Sequence, residues 1–314
     1  MPASSSTPLP HTRPITLLHR GEALAANAMF SLLARLSVKR ASALGGWLVE
    51  AILSRTKRGR RAEQQIAAVF PNMAASDVKR MAAKSWNVFG RSLAEIPHLP
   101  EIISDPDRLI LKNEDVLARV KERDTGTIYV ASHLGNWELL PGTARSVGQP
   151  FHGFYRPLSN AILEERLRSM RQAAAGDGEL LPAASRGVAS AMAALRRGET
   201  VGILGDLFEG NGVNSTFLGF PARTNALPAT LSLRCGAQII IVTIKRLPGV
   251  RFELSFEEVE TVRTGDRAHD IAATTHAINE RLEKAIRATP DQWLWSTNRW
   301  KGLDLSKAGQ PTSA

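Results

Sequence analysis

From residue 127 onward, short apolar runs alternate with stretches whose apolar positions recur at helical spacing. The runs at 127–131, 151–155, 200–204, 238–244 and 251–256 predict strands. The periodic stretches at 137–147, 159–173, 186–197 and 226–235 predict helices between them. Alternation of this kind predicts the α/β class, with a mostly parallel sheet flanked by helices. A last long helix at 267–289 carries Ile271, Ile278, Leu282 and Ile286 on one face. Upstream the pattern is helical only. Apolar patches cover 23–36 and 41–53, and at 76–96 Met81, Trp86, Phe89, Leu93 and Ile96 share a face, with Ser76 as the expected N-cap. The stretch 97–106 predicts a loop and 113–122 a short helix. The pattern therefore divides the chain into a disordered N-terminus (1–21), a helical region (22–110), an α/β domain (111–303) and a disordered tail (304–314). No repeat and no signal-peptide pattern is present.

Charge changes this picture most. The chain has 314 residues, a net charge of +10 and a sequence pI near 10.2, a balance that favours an anionic partner. Nucleic acid has little else behind it, because the chain holds two tyrosines and no Cys/His finger or paired stacking aromatics. The basic residues crowd the N-terminal apolar patches: Arg35, Lys39, Arg40, Arg55, Lys57, Arg58, Arg60 and Arg61, with Glu50 the only acid nearby. Apolar helices interleaved with cations read as an interfacial anchor on anionic lipid. The alternatives are a helical hairpin packed on the main domain and a membrane span over 20–38, although neither patch reaches the ~20 apolar residues a span needs. A single cysteine, Cys235, excludes an internal disulfide and a cysteine-based metal cluster.

The candidate chemistry lies at strand ends. His133 follows the strand at 127–131, where open α/β sheets place ligands. Asn136 is an expected N-cap for the helix that follows, which puts Glu138 in its first turn. A carboxylate near an imidazole can fix its tautomer and stabilise the imidazolium, as a general base requires. A strand-end histidine can equally satisfy a loop carbonyl. Tyr155-Arg156-Pro157 follows the strand at 151–155, and Asp206 and Glu209 follow that at 200–204, so these groups should converge with His133 on one sheet edge. Arg156 could clamp a phosphate or carboxylate, or serve as a salt-bridge partner. Asp206 and Glu209 lack a third ligand for a divalent metal, and turn chemistry accounts for them about as well. No nucleophile elbow, Walker loop or zincin motif appears, which leaves His133 the leading candidate. The Trp293, Trp295 and Trp300 block is expected to cover the sheet edge.

The ordered set His133-Leu-Gly-Asn-Trp-Glu138, Tyr155-Arg156-Pro157, Gly205-Asp206, Phe217 to Thr224 and Asp291 to Lys301 resembles the bacterial lipid A biosynthesis acyltransferases of lauroyl/myristoyl type. Ala68 to Asn72 and Trp86 to Glu95 are similar to that family's N-terminal half, so the resemblance covers roughly 25–303. It implies transfer of an acyl chain from acyl carrier protein or a coenzyme A thioester to a hydroxyl of a lipid A precursor. The place implied is the cytoplasmic face of the inner membrane, with no cofactor and no metal in the chemistry. Here Asp206 is followed by Leu207, which departs from the family's usual Asp-Gln or Asp-Arg. On this resemblance His133 is the expected general base and Glu138 the residue that orients it. An oxyanion would be met by backbone N–H groups near Gly135 and Asn136, or by Arg156. Arg186 and Arg223 are expected to handle phosphates of substrate or carrier. The remaining alternatives are another lipid acceptor (lysophospholipid, aminolipid or glycolipid) and a basic peripheral membrane protein without chemistry.

Overall fold

Residues 127–131 are buried at every position, and that makes them the centre of the sheet. The computed structural model describes residues 16–146 and 148–305. In chain order the strands are β1 (Leu109–Lys112), β2 (Thr127–Ala131), β3 (Phe151–Tyr155), β4 (Leu180–Pro182) and β5 (Thr200–Leu204). They are followed by β6 (Phe208–Phe217), β7 (Phe220–Thr224), β8 (Gln238–Leu247) and β9 (Arg251–Val259). Seven form one sheet in the order β1-β9-β8-β2-β5-β3-β4, and β6 and β7 make a separate hairpin. The sheet is parallel except where β9 runs antiparallel to β8, its hairpin partner.

The expected strands at 127–131, 151–155 and 200–204 form with those bounds. Four strands were not anticipated. β1 and β4 span four and three residues, too short for an apolar period, and the β6–β7 hairpin alternates too many polar residues to read as buried.

The helices are α1 (Leu17–Arg35), α2 (Val38–Leu53), α3 (Lys57–Val69), α4 (Ala75–Glu95), α5 (Leu99–Ser104) and α6 (Glu114–Glu122). Then come α7 (Leu140–Ser146), α8 (Ala161–Ala175), α9 (Ser185–Arg196), α10 (Leu227–Cys235) and α11 (Arg267–Ala288). The stretch 97–106, expected as a loop, is instead a 3₁₀ turn (Ile96–His98) running into α5. Pro97 and Pro100 each lie in a first turn, where a missing N–H costs nothing. Ser76 is not an N-cap, since α4 begins one residue earlier after Ala74. α1 starts at Leu17, capped by Thr16, inside the stretch expected to be disordered. Residues 1–15 and 306–314, also expected to be disordered, lie outside the described residues.

Strand alternation sends side chains to two cores. Ile128 and Val130 share one with α3, α4, α9, α10 and α11, while Tyr129 and Ala131 share the other with α5 to α8. Phe30 and Leu33 of α1 and Val38 and Ala41 of α2 join the second core. α2 crosses α4 at backbone contact distance. A Cβ on Gly90 would lie 2.3 Å from the Gly45 carbonyl oxygen, and one on Gly45 2.4 Å from Ala94 Cβ. Gly90→Ala should therefore lower stability by about 1–3 kcal/mol, through the strain of separating two packed helices. Urea denaturation checks this, and an unchanged midpoint would show that the crossing has slack.

Candidate active site

Ala131 of β2 and Leu204 of β5 are paired in register, and the ladder continues through the Gly205 N–H to the Ala131 carbonyl at 2.9 Å. His133 and Asp206 each lie two residues beyond that pair, so the parallel register delivers them to one place. The Asp206 carboxylate is fully buried and accepts three hydrogen bonds. The His133 backbone N–H donates at 2.8 Å, His133 Nδ1 lies 2.8 Å away, and the Trp293 indole N–H donates at 2.7 Å. Burial alone would raise the Asp206 carboxyl. The His133 charge, the His133 ring N–H, the Trp293 indole and the backbone donor outweigh it and hold the group below the usual carboxylate range. An ionised Asp206 takes the proton-bearing Nδ1, which leaves the Nε2 lone pair for chemistry. His133 lines a cavity.

Glu138 is not the partner of His133. Asn136 caps the 3₁₀ turn Trp137–Leu139 by accepting from the Glu138 N–H at 3.2 Å, as the sequence suggests. Trp137 then packs its ring edge-on to the imidazole, 4.8 Å between centroids. Glu138, next along, faces α8, where Arg171 donates to both of its oxygens at 2.9 and 2.6 Å. Attraction to Glu138 holds the Arg171 guanidinium above its ordinary range despite burial. The sequence spacing placed an acid near the histidine, and the sheet register supplied a different one.

Of the groups expected to meet substrate, the Gly135 N–H and the Asn136 side chain are committed to the scaffold. The Gly135 N–H donates to the Gln292 carbonyl at 3.1 Å, and the Gly135 carbonyl accepts from Ser92 at 2.8 Å. Gly135 has φ +62°, and a Cβ there would lie 2.1 Å from the Ile244 carbonyl oxygen, so only glycine fits. The Asn136 amide donates to Glu95 at 2.7 Å. Glu95 is itself buried and paired bidentately with Arg246, both contacts at 2.7 Å. Gln292 bridges the backbone of Arg246, accepting from its N–H at 2.7 Å and donating to its carbonyl at 3.1 Å. The C-terminal block closes the loop from the other side, with the Leu294 N–H on the His133 carbonyl at 3.0 Å. Covering the sheet edge, the role expected of this block, is what its contacts do.

The cavity measures about 570 Å³ and straddles the C-terminal ends of β3 and β5. One lobe lies on the face of α5, α7 and α8, among Leu99, Leu140, Phe151, Ala174, Leu180 and Leu204. The other lies on the opposite face, among Phe154, Val188, Ile203 and Leu227. Arg156 and Leu158 are exposed at its rim, and Arg156 has no ion-pair partner among the described residues. Glu209 also lines it. Arg186, in the first turn of α9, and Arg223, on β7, are exposed and outside the lining.

Sequence reasoning missed Arg171, Trp293, Gln292 and the Glu95–Arg246 pair. Glu95 carried a signal, since an acid in the apolar register beside Leu93 and Ile96 demands a buried cation. Trp293 carried none, for its partner is a carboxylate 87 residues away.

Glu138→Gln should cost about 2–3 kcal/mol, because a mostly buried Arg171 loses its counter-charge. The double variant Glu138→Gln/Arg171→Gln should recover most of that. Denaturation of both single variants and the double checks the coupling, and additive losses would show the two side chains act independently.

A family model described as "Bacterial lipid A biosynthesis acyltransferase" matches residues 16–302. The chain is 28% identical over 257 residues to the lipid A biosynthesis palmitoleoyltransferase of Escherichia coli (strain K12), covering 76% of this chain and 78% of that protein. A lipid A biosynthesis acyltransferase of Shigella flexneri matches with the same identity and coverage.

Proposed function

Because the chain belongs to the bacterial lipid A biosynthesis acyltransferase family and is an acyltransferase, we propose that His133 is its general base and Asp206 the carboxylate that orients it. The observation that carries this is the Asp206–His133 Nδ1 contact at 2.8 Å, with the imidazole on the wall of a cavity that has an apolar lobe. The acceptor hydroxyl gives its proton to Nε2 as its oxygen attacks the thioester carbonyl. The tetrahedral oxyanion then collapses, the C–S bond breaks, and the imidazolium returns the proton to the leaving thiolate. A buried anion at Nδ1 stabilises the imidazolium between those two transfers. Arg156, the exposed cation on the rim, receives the negative charge of the oxyanion or of the donor's phosphate. The donor is an acyl carrier protein or coenzyme A thioester, and the acceptor is an anionic lipid A precursor.

Membrane attachment is the second part of the proposal. No helix of the described residues is long and apolar enough to cross a membrane. Yet among the described residues every exposed large hydrophobic side chain except Leu158 lies on α1 or α2, including Leu17, Leu24, Leu32, Trp47 and Ile52. Apolar side chains among the basic residues of the same helices favour an interfacial site on anionic lipid, which fits the inner membrane at its cytoplasmic face. The cavity rim adjoins α1, since Asn160 at the start of α8 donates to the His19 carbonyl at 2.8 Å and to Glu22 at 3.1 Å.

His133→Ala should reduce acyl transfer by roughly 10²–10⁴-fold with folding retained. Asp206→Asn should act comparably by presenting the wrong tautomer. Thioester assays against a lipid A precursor, with mass spectrometry of membrane lipids from cells carrying either variant, test this. Normal turnover in a folded His133→Ala protein would end the proposal. Replacing Leu17, Leu24 and Trp47 together by serine should weaken binding to vesicles containing anionic phospholipid by about 10²-fold or more. Unchanged vesicle binding would remove the helices from that role.

A further inference from the structure

The lobe on the α5, α7 and α8 face has a floor of unusual composition. Gly153 of β3 and Gly202 of β5 are register partners, and both line the cavity. Neither has a positive φ, so backbone conformation does not call for glycine at either position. The Phe151 ring does. Phe151 shares a strand face with Gly153, and its ring folds back along the sheet over both glycines. A Cβ on Gly202 would lie 2.2 Å from Phe151 Cζ and 2.6 Å from Cε2, and one on Gly153 would lie 3.0 Å from Cε1. Two side chains have been given up inside the sheet so that one aromatic ring can lie over those positions. Glycine inside strands weakens them, so the arrangement has a cost that packing alone does not require.

The position of the ring gives that cost a use. Leu204 and Tyr155 stand at the C-terminal edge near His133, the glycine pair lies two residues deeper, and Phe151 begins two residues deeper again. At about 3.3 Å per residue each step is roughly 6–7 Å, so the ring closes the lobe one step short of the strand start. We propose that Phe151, seated on the Gly153–Gly202 pair, is the stop that sets the length of the acyl chain this enzyme accepts. The proposal rests on the reading of this cavity as an acyl site. A linear saturated chain with its thioester carbonyl at His133 runs down the lobe and ends against the ring. Leu180, 3.7 Å from the position of a Gly153 Cβ, flanks the same floor. Truncating the ring opens one further step of depth. Adding a methyl at Gly202 lifts the ring toward the edge and shortens the lobe.

The test uses the full chain with Phe151→Ala, Phe151→Leu and Gly202→Ala, and two measurements across saturated chains of about 10 to 18 carbons. One is equilibrium binding of the free fatty acids, read by displacement of a fluorescent fatty acid. The other is transfer from the matching acyl carrier protein and coenzyme A thioesters to a lipid A precursor. Phe151→Ala should move the preferred length upward by about four carbons, raising the ratio of longer to native-length chains at least ~10-fold, with Phe151→Leu between it and wild type. Gly202→Ala should move it downward. If Phe151→Ala does not fold, Phe151→Leu decides. A folded Phe151 variant that keeps the wild-type profile, or loses all lengths in proportion, overturns the proposal, as does a wild-type protein that binds no fatty acid. The two readings fail separately: shifted binding without transfer from any donor would leave the stop in place and sink the acyltransferase mechanism. Transfer with an unmoved profile would do the reverse.

Discussion

The Asp206 carboxylate is the constraint on which the rest of the site depends. An anion with no solvent contact carries a desolvation cost of several kcal/mol unless donors surround it. Here the three donors come from the exit of β2, from the His133 ring and from the C-terminal block. Together these donors offset that cost, and the charge in turn holds all three segments at one point. That reciprocity fixes both the tautomer and the orientation of His133 without any contact from the neighbouring acid in sequence. It also explains why Trp293 is fully buried beside Trp295 and Phe217, since an indole offering its N–H to a carboxylate needs an apolar wall around the rest of the ring.

A second buried pair supports the first from below. Glu95 at the end of α4 pairs bidentately with Arg246 on β8, and the pair reaches the loop between β2 and the 3₁₀ turn through Asn136 and Ser92. On the proposed reading, a loop that carries the reacting group is thereby pinned by contacts to buried charges on two sides. Proximity effects reward such pinning, because a base misplaced by an ångström loses much of its advantage. The Glu138–Arg171 pair has a different place. It lies in the cavity wall between the 3₁₀ turn and α8, where it is positioned to hold the shape of the lobe on that face.

What was legible in the sequence follows from how much each feature depends on distant residues. β2, β3 and β5 read to the residue because Thr127–Ala131, Phe151–Tyr155 and Thr200–Leu204 are dense apolar runs between clear breakers. His133 as a strand-end group was equally local. Its partner was not, since the sheet runs β8-β2-β5-β3 and nothing in chain order announces that β5 lies beside β2. Both His133 and Asp206 were expected on one edge, and only the register shows that each stands two residues past a paired position. Glu138 won in the sequence on spacing and lost in space to that register. Pro97 and Pro100 misled for a related reason, because their breaker signal ignores the first helical turn, where they are at home.

The same geometry bears on how a lipid enzyme meets both its substrates. A parallel sheet gathers its strand ends on one edge, so a cavity opening there can use both faces of the sheet as walls. With His133 as the proposed base, apolar lining on both faces of the sheet gives two long apolar groups separate places in one cavity. On the proposed reading, the acyl chain fills the lobe floored by Gly153 and Gly202. The acceptor comes over the rim at Arg156 and Leu158, beside α1. The exposed apolar side chains of α1 and α2 then belong to the same problem as the site. A lipid acceptor need not cross bulk water if the rim already faces the surface that holds it. A net charge of +10 would keep that rim against anionic headgroups.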